Sequence, residues 1–326
     1  PQAFWGKNYK KIIIPDSITK IPDCAFNCCE TLESINANKV KYIGVCAFQN
    51  CKNLKEIHLA NDEIEVGNCA FNLCKNLEFY CGKEKNKIKL KGPIIYEGAF
   101  SQCAKLEVVE ALQTKSIGKS AFSNCTNLQK IYLSAENLEV GDSAFSECKN
   151  LEFCCGKEEK NKNKIKLAGT TISKGAFNLC EKLELVEAFQ AQNIMSMAFQ
   201  GCENLKQIFL PNKLQKVEDY AFFRCEKLNF NCNKEKNTIK FYGTKVPTKA
   251  FFLCRQIENV EIQNATIIER FAFYGCSNIR KIKAPNLKNI EDCALEDCIS
   301  LQDLEIPLKL NLKLNQEKFF GNNGWQ

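Results

Sequence analysis

A short motif, A-F-x-x-C-x-x-L, recurs twelve times along the chain with few replacements. Its copies begin at Ala25, Ala47, Ala70, Ala99, Ala121, Ala144, Ala176, Ala198, Ala221, Ala250, Ala272 and Ala294. Successive copies are 22 or 23 residues apart, except for three steps of 29, 32 and 29 residues. Such a near-constant step indicates a solenoid in which each repeat makes one turn and stacks on the next.

Apolar residues alternate between the motif copies as they do in a short strand. In the strand that follows the second motif copy we expect Ile57 and Leu59 to point inward while Glu56 and His58 point outward, because strand side chains alternate between two faces. The A-F-x-x-C segment is predicted to form the opposite wall, where Phe fills the middle. Eleven of the twelve copies carry Phe, which predicts a core ladder and not a ligand-binding aromatic set.

The first repeat carries the most specific pattern. Residues 12–26, IIIPDSITKIPDCAF, resemble the I-x-I-P-x-S-V-T-x-I-x-x-x-A-F pattern of the BspA-like leucine-rich repeat family, and the resemblance extends over about residues 11–307. It implies a repeat solenoid, namely a right-handed curved β-solenoid with short parallel strands on its concave face. The convex side would be mostly irregular, short-helical or 3-10. The resemblance also implies a non-enzymatic module for protein binding and adhesion, at the cell surface or secreted. The unequal steps and the many cysteines depart from the family's usual pattern.

The chain contains 21 cysteines, which allow either a disulfide framework or buried free thiols. Twelve of them occupy the same motif position, so we interpret them as small hydrophobic residues of the packed stack. Pairs of the form C-x4-C, such as Cys24 with Cys29, differ from zinc-knuckle spacing, and the single histidine adds no cluster. No metal site is therefore predicted.

The three long steps contain Lys-rich excursions at residues 82–92, 156–169 and 233–243, so three-repeat superunits recur along the chain. Each excursion is predicted to be two short strands joined by a hairpin-like bend that projects from one rim. Together they carry a net charge of +9, against +7 for the whole chain. The candidate basic rim residues are Lys83, Lys85, Lys87, Lys157, Lys160, Lys162, Lys234 and Lys236. They could simply keep the hairpins soluble, or they could contact an anionic partner.

The outward strand positions form the predicted partner-binding surface on the concave face. The candidate residues are His58, Tyr80, Glu110, Tyr132, Glu187, Phe209, Glu261 and Lys283. Exposed aromatic residues are favoured binding anchors, although isolated ones are normal on monomers. A protein or glycan ligand is expected, while nucleic acid is disfavoured because the chain has little Arg and no fold for base readout. The register at Tyr80 is open, because L-x-F-x-C is one residue shorter than L-x-x-I-x-L.

Neither an enzyme nor a cofactor is predicted. His58 is the only histidine and no nucleophile lies beside it, and phosphate-binding, dinucleotide and metalloprotease motifs do not occur. No run of 18 apolar residues occurs, so no membrane span is predicted.

The period continues without a linker, which predicts a single domain over 1–326 with about twelve repeats and a C-terminal cap at 308–326. Two functions stay open from the residues: an extracellular adhesion module, or an intracellular interaction scaffold in the cytoplasm with reduced cysteines. The oligomeric state is open as well.

Overall fold

The computed structural model describes residues 8–60, 62–134, 137–156, 162–232 and 235–307. The chain groups into two compact units, Pro1–Ile165 and Lys166–Gln326. Within each unit the chain is a parallel β-solenoid, as predicted: long strands pair with long strands of the next repeat and short strands with short ones, except at the Lys-rich excursions, where one sheet ends and the next begins. The single domain over 1–326 stays a prediction, and the predicted cap at 308–326 lies outside the described residues.

The first unit contains two series of strands. The long series is β1 (Lys11–Ile13), β3 (Ser34–Ala37), β5 (Glu56–Leu59), β7 (Glu78–Cys81), β9 (Lys87–Lys89), β11 (Val108–Ala111), β13 (Lys130–Leu133) and β15 (Glu152–Cys155), with the return strand β8 (Glu84–Lys85). The short series is β2 (Lys20–Ile21), β4 (Tyr42–Ile43), β6 (Glu65–Val66), β10 (Ile94–Ile95), β12 (Ser116–Ile117) and β14 (Glu139–Val140).

The second unit repeats this arrangement. Its long series is β18 (Leu185–Glu187), β20 (Gln207–Leu210), β22 (Asn229–Cys232), β24 (Thr238–Phe241), β26 (Asn259–Ile262), β28 (Lys281–Lys283) and β30 (Asp303–Glu305), with the return strand β23 (Glu235–Lys236). Its short series is β17 (Thr171–Ile172), β19 (Asn193–Ile194), β21 (Lys216–Val217), β25 (Lys245–Val246), β27 (Ile267–Ile268) and β29 (Asn289–Ile290). Strand β16 (Lys164–Lys166) spans the boundary between the units.

The core lies between the long strands and the A-F-x-x-C wall. Ile57 and Leu59 are buried while Glu56 and His58 are half-buried, which confirms the predicted alternation. All eleven motif phenylalanines are buried, and neighbouring rings stack, as Phe48 does on rings 5.1 and 5.4 Å away. Stacked rings at this spacing combine burial of apolar surface with a favourable ring geometry. The wall consists of turns, and no helix occurs in the described ranges.

Every motif cysteine is buried, as predicted, and the thiol has a second role. Cys51 Sγ donates a hydrogen bond to Phe26 O of the preceding repeat over 2.9 Å, and Cys125 Sγ does the same to Phe100 O over 3.0 Å. The bond recurs in eight further repeats. The buried thiol thereby has an acceptor, and the Phe26 carbonyl, which already accepts the N–H of Cys29, gains a second, weaker hydrogen bond.

The Lys-rich excursions begin as hairpins, as predicted. Strand β8 pairs antiparallel with β7, with Tyr80 opposite Lys85, and β23 pairs antiparallel with β22 in the third excursion. The second half of the excursion does not project from a rim, contrary to the prediction. It forms β9, which pairs in parallel with β11, because Ile88 of the K-I-K pattern is buried in the core. One superunit of the first unit therefore has four long strands (β9, β11, β13 and β15) but only three short strands (β10, β12 and β14).

An asparagine closes the first hairpin. Asn86 is buried, has a φ of 55°, and donates its backbone N–H to Phe79 O over 2.6 Å. Its carbonyl accepts the N–H groups of Glu107 and Val108, and its side-chain amide donates to Glu107 Oε1 over 2.9 Å. Asparagine tolerates the left-handed region better than most residues do. Asn237 has the same conformation and donates to Glu258 Oε1 over 3.0 Å.

We therefore expect Asn86→Ala to lower the free energy of unfolding by about 2–4 kcal/mol, because it loses buried hydrogen bonds and places a β-carbon at positive φ. Asn86→Gly also removes the side chain, but glycine adopts a positive φ without strain. Its free energy of unfolding should therefore fall by about 1 kcal/mol less than that of the alanine variant. Urea unfolding followed by circular dichroism measures both. An alanine variant as stable as the wild type would contradict the role of this residue.

Candidate partner-binding surfaces

The outward side of the long strands, here the strand face, carries the predicted binding residues in continuous columns. In the first unit Asn36, His58 and Tyr80 are direct neighbours on adjacent strands, so the shortened L-x-F-x-C repeat keeps the register of the column. The rings of His58 and Tyr80 stack at 4.8 Å. The Tyr80 hydroxyl donates to Glu78 Oε2 over 2.8 Å, and Lys85 Nζ lies 2.9 Å from the same oxygen. This end of the column is a compact group of aromatic and charged side chains.

The next column runs through Glu110, Tyr132 and Cys154. Lys87 Nζ lies 2.6 Å from Glu110 Oε1 and 2.7 Å from Glu84 Oε1. These two carboxylates raise the pKa of Lys87 above its ordinary value, since their hydrogen bonds favour the charged ammonium. Tyr132 is half-buried between its strand neighbours.

In the second unit the columns combine aromatic and charged residues again. Glu187 and Phe209 are strand neighbours, and Lys166 Nζ lies 3.3 Å from Glu187 Oε2. Glu261 is paired in register with Lys283, and Lys240 Nζ lies 3.5 Å from Glu261 Oε2. The strand face of the second unit therefore presents alternating charges, and these lysines and glutamates already form ion pairs with each other.

The basic residues predicted on the rim occupy several environments. Lys83 is exposed in a turn, Lys85 and Lys236 lie on return strands, and Lys87 lies on β9. Lys162 pairs with Glu152 over 3.1 Å. Lys157, Lys160 and Lys234 lie outside the described residues. The sequence pattern did not reveal these ion pairs, because the carboxylates come from neighbouring strands.

The cysteines offer no reactive thiol in the core. Burial raises the pKa of Cys74 and of Cys148 to about 12 and that of Cys125 far above its ordinary value, because the thiolate cannot be solvated there. Cys24 and Cys46 are half-exposed at positive φ beside the motif. Within the described ranges no group of three His, Cys, Asp or Glu residues could hold a metal ion.

Comparisons with known proteins agree with this geometry. A sequence profile described as a BspA type leucine-rich repeat region (6 copies) matches residues 1–90, 78–167, 170–243 and 244–324. The chain belongs to the BspA-type leucine-rich repeat family. The predicted family is thereby confirmed.

Two solved structures illustrate what this BspA-type chain is similar to. A leucine-rich repeat protein from Bacteroides ovatus ATCC 8483 is 24% identical with a TM-score of 0.56, and the match covers 95% of this chain and 81% of that one. A leucine rich cell surface protein from Faecalibacterium prausnitzii A2-165 is 19% identical with a TM-score of 0.49, covering 98% and 92%. The similarity to the Bacteroides ovatus protein shows that this chain has the leucine-rich repeat fold. No curated protein sequence matches the chain.

A groove that the sequence did not predict lies in the second unit of the BspA-type chain. Strands β21 and β25 belong to separate sheets, because the excursion between them adds β24 to the long series and nothing to the short series. The space between them is a groove of about 590 Å³. It is lined by Asn193, Ser196, Gln215, Lys216, Val217, Glu218, Asp219, Phe241, Tyr242, Gly243, Thr244, Lys245 and Pro247.

A set of aromatic residues on the turn wall also escaped the sequence analysis. Phe223, Phe252 and Tyr274 directly follow a buried motif Phe, and each is half-buried outside the core. The core ladder predicted for the motif Phe does not extend to Phe223 and Phe252, because the side chains of these two residues lie on the outer side of the turn. The sequence does indicate that this position faces outward, because it holds Asn, Gln, Ser or Glu in the other nine repeats.

A membrane-crossing helix is absent from the part of the chain that the structure describes.

Proposed function

We propose that this BspA-type chain is a non-enzymatic adhesion module that acts at the cell surface and docks a protein or glycan partner on its strand face. The family resemblance supports an interaction role, and the stacked pair of His58 and Tyr80 on the strand face is the observation that carries the proposal. Aromatic side chains held by their neighbours lose little conformational entropy on binding, which makes them effective anchors.

The charges on the strand face favour selection among partners more than long-range electrostatic attraction of a partner. Lys85, Lys87 and Lys162 each lie within 3.1 Å of a carboxylate oxygen, so their fields are largely compensated locally. A partner must match the alternating pattern of donors and acceptors, since a mismatched charge would be left desolvated. We expect only a modest loss of binding as salt rises, and a steep loss would indicate that the uncompensated lysines dominate.

The role of the strand face is tested with beads that carry the purified chain. Wild-type beads should adhere to surfaces coated with matrix proteins or glycans. The triple variant His58→Thr, Tyr80→Thr, Tyr132→Thr should bind at least about tenfold more weakly, because it removes the anchors while threonine preserves strand propensity. Tyr132→Ala alone should change the free energy of unfolding by about 1 kcal/mol or less, since the residue lies outside the core.

A matched control replaces three half-buried wall residues of the same unit: Gln49→Thr, Asn72→Thr and Ser101→Thr. Its adhesion should equal that of the wild type. An antibody against the chain should also block adhesion of intact source cells to the same surface. Equal adhesion of both triple variants would refute the strand face as the docking surface, and an antibody without effect would refute the role at the cell surface.

A further inference from the structure

A column of aromatic side chains on the turn wall of the second unit is held together by ring contacts. The ring centroids of Phe223 and Phe252 are 4.8 Å apart, and those of Phe252 and Tyr274 are also 4.8 Å apart with planes within 8°. Both faces of Phe252 are therefore covered by other rings. Phe271 packs against one side of the column, with its ring centroid 6.4 Å from that of Phe252 and 5.9 Å from that of Tyr274. The rings of the column are half-buried, so a partner can reach their outer edges, which carry the positive part of the quadrupole.

Lys249 lies beside this column. Its Nζ is 5.3 Å from the ring centroid of Phe271, 5.5 Å from that of Tyr220 and 6.0 Å from those of Phe223 and Phe252. Such distances are typical of cation–π contacts.

Two arginines extend the positive charge. The guanidinium carbon of Arg224 lies 5.5 Å from the ring of Phe223, and that of Arg270 lies 5.5 Å from the ring of Phe271. Among the described residues, neither arginine nor Lys249 forms an ion pair with a carboxylate, whereas the excursion residues Lys85 and Lys87 do. We call Phe223, Phe252, Tyr274, Arg224, Lys249 and Arg270 the aromatic–cationic patch.

The fold does not need this patch. The residue after the motif Phe is polar in the other nine repeats, for example Asn27, Ser101 and Gln200, and those repeats form the same turn. Three consecutive repeats carry Phe, Phe and Tyr instead. The nine repeats thus serve as internal controls, and they show that packing does not account for the aromatic residues. Aromatic residues and arginine are the types enriched at protein interfaces.

The geometry favours a protein over a sugar as the occupant. A sugar ring stacks on an exposed aromatic face, but both faces of Phe252 are covered. Ring edges and three cations without carboxylate partners attract carboxylates, while the apolar ring atoms attract aliphatic or aromatic side chains. Desolvation raises the pKa of Tyr274, and the charges of Asp297 and Glu296 raise it further. Glu291 Oε2 also accepts the backbone N–H of Arg270 over 3.0 Å. Carboxylates already lie at this end of the patch, so the negative charge of a partner should lie toward Arg224 and Lys249.

We propose that the aromatic–cationic patch docks an acidic segment of a protein partner in which carboxylates alternate with apolar side chains. This surface is separate from the strand face and does not depend on the adhesion role proposed above. Substitutions on the strand face should leave it intact, and substitutions in the patch should leave strand-face binding intact.

The experiment uses a random peptide library displayed on phage, selected on the wild-type chain with counter-selection on the triple variant Phe223→Asn, Phe252→Ser, Lys249→Ser. These replacements are residues that other repeats carry at the same positions, so the variant should fold, which its thermal unfolding checks. Selected peptides should combine Asp or Glu with apolar residues. The variant should bind them at least about tenfold more weakly, as expected for loss of interface anchors.

A charge-matched control is Lys75→Ser, which removes one exposed lysine of the other unit and should leave peptide affinity unchanged. The proposal is overturned if no peptide depends on the patch, or if the patch-dependent peptides are basic or uncharged. A heparin-derived oligosaccharide is measured in parallel. Patch-dependent binding of that oligosaccharide without any patch-dependent peptide would also overturn the proposal, in favour of a sulfated glycan.

Discussion

Raising the pH from about 9 to about 11 is expected to unfold this protein cooperatively, because its buried cysteines cannot ionise in the folded state. Ten motif thiols have a pKa raised by desolvation. In the unfolded chain a cysteine ionises near its ordinary pKa of about 8.5. Above that pH the unfolded chain loses protons that the folded chain retains, so stability falls as pH rises.

This loss of stability at high pH is the largest effect that we expect. Each buried thiol costs about 1.4 kcal/mol of stability per pH unit above its unfolded pKa. Ten such thiols cost about 14 kcal/mol per pH unit, which equals the whole stability of a typical protein. Urea unfolding at a series of pH values measures the slope.

A double variant tests the assignment to the thiols. Cys125→Ala, Cys148→Ala removes two of the groups, so its stability should fall less steeply with pH, by about 2.7 kcal/mol per pH unit. Its lower stability at neutral pH does not affect this comparison, because only slopes are compared. A stability that stays constant up to about pH 11, or equal slopes in both proteins, would contradict the prediction.

Replacing a ring of the core ladder is expected to have the second largest effect. Phe145 is fully buried, lies 5.7 Å from the ring of Phe122 and makes an edge contact with Phe153 at 5.1 Å. Phe145→Ala should lower the free energy of unfolding by about 3–5 kcal/mol, since it loses buried area and leaves a cavity between rings that cannot close. Phe145→Leu should lose less, and the last motif copy already carries Leu295 at this position.

The matched control is Phe189→Ala. Phe189 is 60% exposed, so its removal should cost about 1 kcal/mol or less. Urea denaturation of the three variants gives the comparison. Equal losses for Phe145→Ala and Phe189→Ala would show that the motif rings do not form the core.

The residues of the strand face could be predicted because inward and outward side chains alternate along each strand, and the strands recur at a nearly constant step. Once Ile57 and Leu59 are assigned to the core, His58 must point outward, and the equal step places it beside Asn36. The sequence left the register at Tyr80 open, and the structure places Tyr80 beside His58 with the two rings stacked. That this surface binds a partner stays a prediction.

The excursions could not be predicted in the same way. The sequence shows many lysines and an alternating K-I-K pattern, which fits either an exposed hairpin or a strand of the sheet. The outcome depends on Asn86, whose backbone closes the hairpin and then bonds to the next repeat. The ion pair of Lys87 with Glu110 is a consequence of that non-local pairing.

The sequence alone determined the parallel stack, the inward phenylalanines and cysteines, and the outward columns, because one repeated apolar pattern can be buried only by stacking equal turns. Only the tertiary structure decided where the charges and the outer aromatic residues meet. The positions of Lys249, Phe223 and Phe271 are far apart in sequence, and their contact depends on the register between neighbouring turns. Phe223 is the same residue type as the buried motif Phe that precedes it. Only the direction in which the turn points its side chain places it on the outer surface, where a partner can reach it.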